Sequence, residues 1–299
     1  MSDNRIVMFG CHEAGWFLIR DLLEAGIHFD QFVSLSPEQA EALNVYGYRD
    51  FSDLASSSGI PIYYPEKYSL KGAKDRKFFA DQKFDLLIQG GWQRLFPEHV
   101  LNCLSIGALG VHGSSDLLPK GRGRSPLNWS LIEGQQRFLL QLFLVTPRED
   151  DGDVIDFEEF DLNSSDDIRT AYYKNSICMR RMLLRNIPRL LEGKIDARPQ
   201  IGIPTYYEKR TPSDGEIHWE EMRVRDIYNL VRALTHPYPG AYGAIQGSVM
   251  TIWKARIFDT RMIYRDAAYG EVVENFDGNL VINCRGGLLL VEDYELRSN

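Results

Sequence analysis

Cysteine is scarce here. Four residues, Cys11, Cys103, Cys178 and Cys284, are spread over 299 positions with no CxxC pair among them. That spacing indicates neither a disulfide framework nor a zinc cage, so no metal is expected, and it fits buried thiols in a reducing compartment. Long apolar runs are missing too: nothing approaches the roughly 20 apolar residues that cross a bilayer, so no membrane partner is expected. An excess of positive charge is also absent. With 34 Lys+Arg against 42 Asp+Glu, the chain carries −8, opposite in sign to the footprint that nucleic-acid phosphates select. The first predicted strand-to-helix turn, residues 10–15 (GCHEAG), lacks GxGxxG, which argues against NAD or FAD. The opening MSDNRIVMFG starts a strand-like run at residue 5 and leaves no room for a signal peptide, so a cytoplasmic location is expected.

What is present suits two packed domains. The length is about twice a usual domain of roughly 150 residues, and 44% of residues are hydrophobic, enough for ordinary cores. Residues 5–10 read as a strand ending in glycine, residues 13–25 as a helix with Trp16, Phe17, Ile19, Leu22 and Leu23 at helical spacing, and residues 29–35 as a second strand. Strand, helix and strand in about 30 residues make a βαβ unit, and therefore a Rossmann-like, doubly wound, mostly parallel α/β sheet.

Three further apolar runs end in polar tips. Residues 84–89 (FDLLIQ) read as a strand buried on both faces and run into Gly90, Gly91, Trp92, Gln93, Arg94, Leu95 and Phe96. Residues 106–111 deliver His112. Residues 141–145 lead into Pro147, Arg148, Glu149, Asp150, Asp151, Gly152 and Asp153. Ligands of open α/β sheets lie beyond strand C-termini, and paired glycines allow close backbone approach. A plain tight turn at Gly90 and Gly91 is the competing reading. An imidazole at a strand end can present a proton to developing negative charge, and a carboxylate beside it would orient it. Asp150, within Asp-x-Gly, is the candidate partner; a solvated acidic loop is the alternative. In residues 117–129, Lys120, Arg122 and Arg124 are interleaved with Gly121 and Gly123 before a helix predicted from Pro126. Cations at a helix entry suit phosphate or carboxylate groups, and a flexible basic turn is the alternative.

These residues resemble the folate-dependent formyltransferase family. Its pattern is Asn-x-His-x-Ser, then Leu-Pro with Arg-Gly, then a distant Asp-x-Gly. The corresponding residues are Val111 to Ser114, Leu117 to Gly123, and Asp150 to Gly152. Residues 123–129 (GRSPLNW) look especially like the family's sugar-nucleotide members, such as the domain that formylates UDP-aminoarabinose in lipopolysaccharide biosynthesis. Residues 210–219, 230–241 and 251–255 are similar to the family's second domain, so the likeness spans nearly the whole chain. Two departures stand out. Gly110 occupies the place of the family asparagine that helps bind the formyl oxygen, and the loop after His112 is longer than usual.

The resemblance implies N10-formyltetrahydrofolate as formyl donor and the amine of a nucleotide-linked amino sugar as acceptor. It implies His112 and Asp150 as catalytic residues. It puts the folate against the turn of Gly91, Trp92, Arg94, Leu95 and Phe96 and the loop of Val145, Pro147 and Arg148. Ser114, Lys120, Arg122, Arg124, Arg210 and Tyr206 are the candidate substrate contacts, and a homodimer is a family-based expectation. The catalytic domain is expected over residues 1–200 and an OB-like open β-barrel over 201–299, after a linker at 199–204. A helix is predicted over 226–234 and strands over 249–255, 271–273, 280–283 and 288–291, with hairpin turns at Asp277-Gly278 and Gly286-Gly287. Residues 202–299 hold 11 Lys+Arg and 14 Asp+Glu, a net of −3, which argues against a tRNA-gripping surface. Methionyl-tRNA formyltransferase stays the second enzyme reading, and a folate- or nucleotide-binding protein without transferase activity the third.

Overall fold

The computed structural model describes residues 4–297. The first half contains β1 (Ile6–Phe9), α1 (Glu13–Glu24), β2 (Gln31–Val33), α2 (Pro37–Ala42), α3 (Ser52–Ser58), β3 (Ile62–Tyr63), α4 (Ala73–Ala80), β4 (Phe84–Gln89), α5 (Glu98–Leu101) and β5 (Leu104–Ser114). Next come β6 (Arg122–Gly123), α6 (Pro126–Ile132), β7 (Arg137–Leu144), β8 (Val154–Asp161), α7 (Ile168–Leu191) and β9 (Tyr206–Tyr207). The chain finishes with α8 (Val224–Leu234), β10 (Ala241–Ile245), β11 (Ser248–Asp259), β12 (Val272–Phe276), β13 (Asn279–Cys284) and β14 (Gly287–Arg297). Two compact units result. Unit 1 holds the described residues up to 122, with 139–159 and 175–205; unit 2 holds 123–138, 160–174 and the described residues from 206. Among the described residues, no helix is long and apolar enough to cross a membrane.

The main sheet of unit 1 has the order β3-β2-β1-β4-β5-β7-β8. Strands β3, β2, β1, β4 and β5 are parallel, and β7 runs antiparallel to β5. Parallel strands are covered on both faces and therefore read as continuous apolar runs; β1 is buried at every position and β4 at four of six. The strand order reverses between β1 and β4, and ligands of open α/β sheets bind beyond the C-terminal ends of strands at such a switch. A core of Val7, Phe9, Phe79, Leu87, Trp92 and Phe96 lies beneath it.

In unit 2, β10-β11-β14-β13-β12 form an antiparallel sheet, a small open barrel with register shifts along the β11/β14 pair that bend it. The amphipathic helix α8 sets Ile227, Leu230, Val231 and Leu234 into the core. Its first turn is closed by Asp226, which accepts from the Arg223 N–H at 3.0 Å. The β13–β14 turn centres on Arg285 and Gly286, since Cys284 pairs with Gly287; this is one residue earlier than the Gly286-Gly287 turn expected from sequence.

Candidate active site

His112 lies inside β5. The sequence places it just past the strand, but β5 outruns β4, whose last partner is Leu109, and continues to Ser114 against β7. The register sets His112 opposite Gln141 and Leu109 opposite Leu144. Because β7 is antiparallel, its far end returns beside Leu109, and the Val145 N–H donates to the Ala108 carbonyl at 2.8 Å. The loop after β7 is thereby delivered to His112. The ring is buried, at 8% exposure. Its Nδ1 lies 3.3 Å from an Asp150 carboxylate oxygen, and its Nε2 lies 2.7 Å from the Gly121 carbonyl. Neutral imidazole owns one N–H, so only the doubly protonated ring donates to both acceptors.

Asp150 adopts a left-handed backbone, φ 47°, which costs an L-residue about 1 kcal/mol. Its loop is cross-braced. Thr146 Oγ1 donates to the Asp151 carboxylate, which also pairs with Arg148, and the Leu144 N–H donates to the Asp153 carbonyl at 2.9 Å. A Cβ at Gly152 would stand 1.5 Å from the Leu144 carbonyl oxygen, so only glycine fits there. Asp-x-Gly thus has a steric meaning: glycine lets the loop close on its own strand and turn Asp150 inward.

Gly110, two residues before His112, contributes no side-chain donor. A Cβ there would lie 2.8 Å from Phe143 Cζ and 2.8 Å from Val145 Cγ2, so apolar atoms fill the space that the family asparagine would need. Gly110→Asn is therefore expected to overpack the site and destabilise the fold by about 1–3 kcal/mol, read as a Tm lowered by several degrees. An unchanged Tm would show that Phe143 and Val145 give way freely.

The turn after β4 exposes backbone and buries side chains. Gly91 has φ 84° and is exposed, as are Gln93, Arg94 and Leu95. The side chains of Trp92 and Phe96, two of the expected folate contacts, turn into the core; both residues are 2% exposed and pack edge-on against Phe9 at 5.6 and 5.1 Å. Only their backbone is left for a ligand. Sequence reasoning missed what braces this turn. The His12 Nδ1 donates to the Gly91 carbonyl, Cys11 Sγ meets the Tyr68 hydroxyl at 3.4 Å, Tyr68 accepts from the Gln93 N–H at 3.1 Å, and Arg94 covers the Tyr68 ring at 4.4 Å. Burial pushes the Cys11 thiol up to about 11 and lowers His12, so both are uncharged packing groups at neutral pH. In the sequence, residues 10–15 stand out only for lacking a dinucleotide fingerprint.

The expected substrate contacts of unit 1 each have a partner within the protein. Ser114 is 1% exposed, and its hydroxyl accepts from the Asp116 N–H. Lys120 forms an exposed pair with Asp116 at 2.9 Å, and Arg122 donates to Gln200 at 2.6 Å. Of the folate contacts expected on the loop after β7, Val145 is half-buried, while Pro147 and Arg148 are exposed.

In unit 2, Arg124 is exposed and its N–H donates to the Tyr207 carbonyl at 3.0 Å. Tyr206 is 55% exposed, whereas Tyr207 stacks on Trp129 with centroids 5.9 Å apart. Arg210 is half-buried over the Tyr238 ring at 5.5 Å, and the Tyr238 hydroxyl meets that of Tyr172 at 2.6 Å. Among the described residues the Arg210 Nε and Nη1 have no hydrogen-bond partner, and burial lowers the Arg210 pKa. Unmet donors on a half-buried guanidinium cost free energy and suit an anion's oxygens.

Residues 54–184 match the family model described as formyl transferase, and residues 209–299 match formyl transferase, C-terminal domain. HypX from Aquifex aeolicus, in complex with tetrahydrofolic acid, is 17% identical with a TM-score of 0.66, over 99% of this chain and 45% of that one. The chain thus spans less than half the length of the HypX structures it matches. An N-formyltransferase from Helicobacter canadensis, solved with folinic acid and dTDP-3-aminofucose, is 15% identical with a TM-score of 0.67, over 97% and 99% of the two chains. A 4-N formyltransferase from Francisella tularensis is 18% identical with a TM-score of 0.63, over 81% and 93%. At these identities the likeness is one of fold.

Proposed function

Because this chain belongs to the formyl transferase family, matching both of its domain models, we propose that it moves a formyl group from N10-formyltetrahydrofolate to the amine of a nucleotide-linked amino sugar. The observation that carries the reading is the His112–Asp150 pair, 3.3 Å apart, with His112 inside β5 and Asp150 on the loop after β7. Bound N10-formyltetrahydrofolate supplies a formyl carbon whose oxygen gathers negative charge as an amine adds. His112 faces that charge with an Nε2 proton that rests on the Gly121 carbonyl; an oxyanion is the stronger acceptor, since charge-assisted bonds are roughly twice as strong as neutral ones. Asp150 holds the opposite nitrogen, keeps the ring oriented, takes the proton that the attacking amine must lose, directly or through water, and would pass it to N10 as the bond from N10 to the formyl carbon breaks, so that tetrahydrofolate and the formamide leave with the proton count unchanged.

The donor's flat, amide-edged ring suits the exposed backbone of Gly91, Arg94 and Leu95, beside the Val145 to Arg148 loop. Leu95, 56% exposed, offers an apolar face there. Residues 1–200 carry the chemistry in this reading, and 201–299 supply the smaller domain. Support for the acceptor class comes from the dTDP-sugar bound by the Helicobacter protein, from the net charge, and from Arg210, whose Nε and Nη1, unpaired among the described residues, suit a diphosphate.

The test is a panel of UDP-, GDP- and dTDP-linked amino sugars with N10-formyltetrahydrofolate, scored by mass spectrometry for the added formyl. Formylation of one or more is the expected result. No product from any, with formylation of charged initiator tRNA instead, would overturn the acceptor class. With the accepted sugar, Arg210→Met is expected to raise KM about 10- to 100-fold, the worth of a charged hydrogen bond, with little change in kcat. An unchanged KM would remove Arg210 from the site.

A further inference from the structure

Residues 199–204 read as a linker in the sequence, yet Gln200 within them, with Arg198 and Thr205 on either side, is hydrogen-bonded to the chain segments around the imidazole. Arg198 and Val154 exchange backbone bonds at 2.8 and 2.9 Å. Thr205 accepts the Arg122 N–H on its carbonyl at 3.0 Å and the Gly121 N–H on its hydroxyl at 2.9 Å. Between them Gln200 uses both ends of its amide. Its Nε2 donates to the carbonyls of Asp150 and Gly152, each at 2.8 Å, and its Oε1 accepts from Arg122 Nη2 at 2.6 Å.

Those bonds bear on the one strained residue of the site. Asp150 has a left-handed backbone, a conformation that persists in a non-glycine residue only when its surroundings over-determine it. An amide gripping the carbonyls on both sides of Asp151 does that. It also joins that loop to Arg122, the neighbour of Gly121, whose carbonyl meets the other ring nitrogen.

We infer that Gln200 is a positioning residue for the reaction proposed above, holding the Asp150 carboxylate against His112 Nδ1 through the backbone of residues 150–152. The inference rests on that proposed reading. Misplacing a catalytic group by about 1 Å can cost on the order of 100-fold in rate, so the effect falls on kcat.

The experiment is a double-mutant cycle on the full chain, with the acceptor identified by the sugar panel. Gln200→Met keeps length and loses every hydrogen bond; Gln200→Glu keeps the acceptor for Arg122 and loses both donors. Each is expected to lower kcat about 10- to 100-fold, with KM for the formyl donor nearly unchanged. In an Asp150→Asn background, Gln200→Met should add almost nothing. The His112 ring-nitrogen NMR signals, assigned with His112→Asn, need no acceptor and should shift in Gln200→Met as they do in Asp150→Asn. Wild-type kcat in Gln200→Met, full activity in Gln200→Glu, losses that multiply across the cycle, or unmoved His112 signals would each overturn the inference. If Asp150→Asn itself turns over normally, the catalytic reading fails instead, which separates the two.

Discussion

Replacing His112 by asparagine is expected to slow formyl transfer by about 10²- to 10⁴-fold while folate binding persists. The range is what a positioned proton donor or oxyanion partner contributes, and a thousandfold loss is about 4 kcal/mol of barrier. Asparagine keeps a polar amide within reach of Gly121 but cannot carry charge, so it separates hydrogen bonding from electrostatics. Folate should still bind, because the backbone at Gly91 to Leu95 is braced by His12, Tyr68 and Gln89 rather than by His112. Asp150→Asn should lose about 10²-fold or more, since the amide keeps its shape but offers neither a charge to the imidazolium nor a base to the amine. Single-turnover rates beside calorimetric folate titration make the comparison. Near-wild-type turnover in either variant would remove that residue from the chemistry.

That expectation leans on residues the sequence displays unevenly. Strand β4 is legible to the residue, because an apolar run closed by paired glycines has one natural end. Strand β5 is legible only to Val111. Its last stretch is held by β7, an antiparallel partner some 30 residues away, and pairing at that range leaves no local pattern. The Gly90-Gly91 signal announces a close approach, yet it does not say which way Trp92 and Phe96 turn. Their rings follow the core, because large aromatics gain more free energy buried than exposed. Gln200 was invisible for a different reason. Between two prolines, Pro-Gln-Ile-Gly-Ile-Pro has the composition of a connector, and its three hydrogen bonds reach residues about 50 and 78 positions away. The Rossmann-like sheet and the C-terminal barrel were readable, since both rest on short-range periodicity and turn chemistry.

Asp-x-Gly, by contrast, was visible as a motif before its physics was. Its glycine leads to the second large effect: Gly152→Ala should cost about as much activity as Asp150→Asn, although no reacting atom is touched. A methyl group 1.5 Å from the Leu144 carbonyl oxygen cannot be relieved by any rotamer, since both clashing atoms sit on backbone. The loop must move, and every contact that aims Asp150 runs through it: the Leu144–Asp153 bond, the Gln200 clamp, and the left-handed turn itself. The core should survive, because Pro147 to Glu149 are exposed and the loop lies at the sheet's rim. The expected signature is a kcat loss of about 10²-fold or more with a cooperative unfolding transition still present. Displaced His112 ring signals should accompany it. A Gly152→Ala enzyme of normal rate would mean that the loop can swing aside and still return Asp150 to the imidazole, and the tight strand-to-loop closure would then have no catalytic consequence.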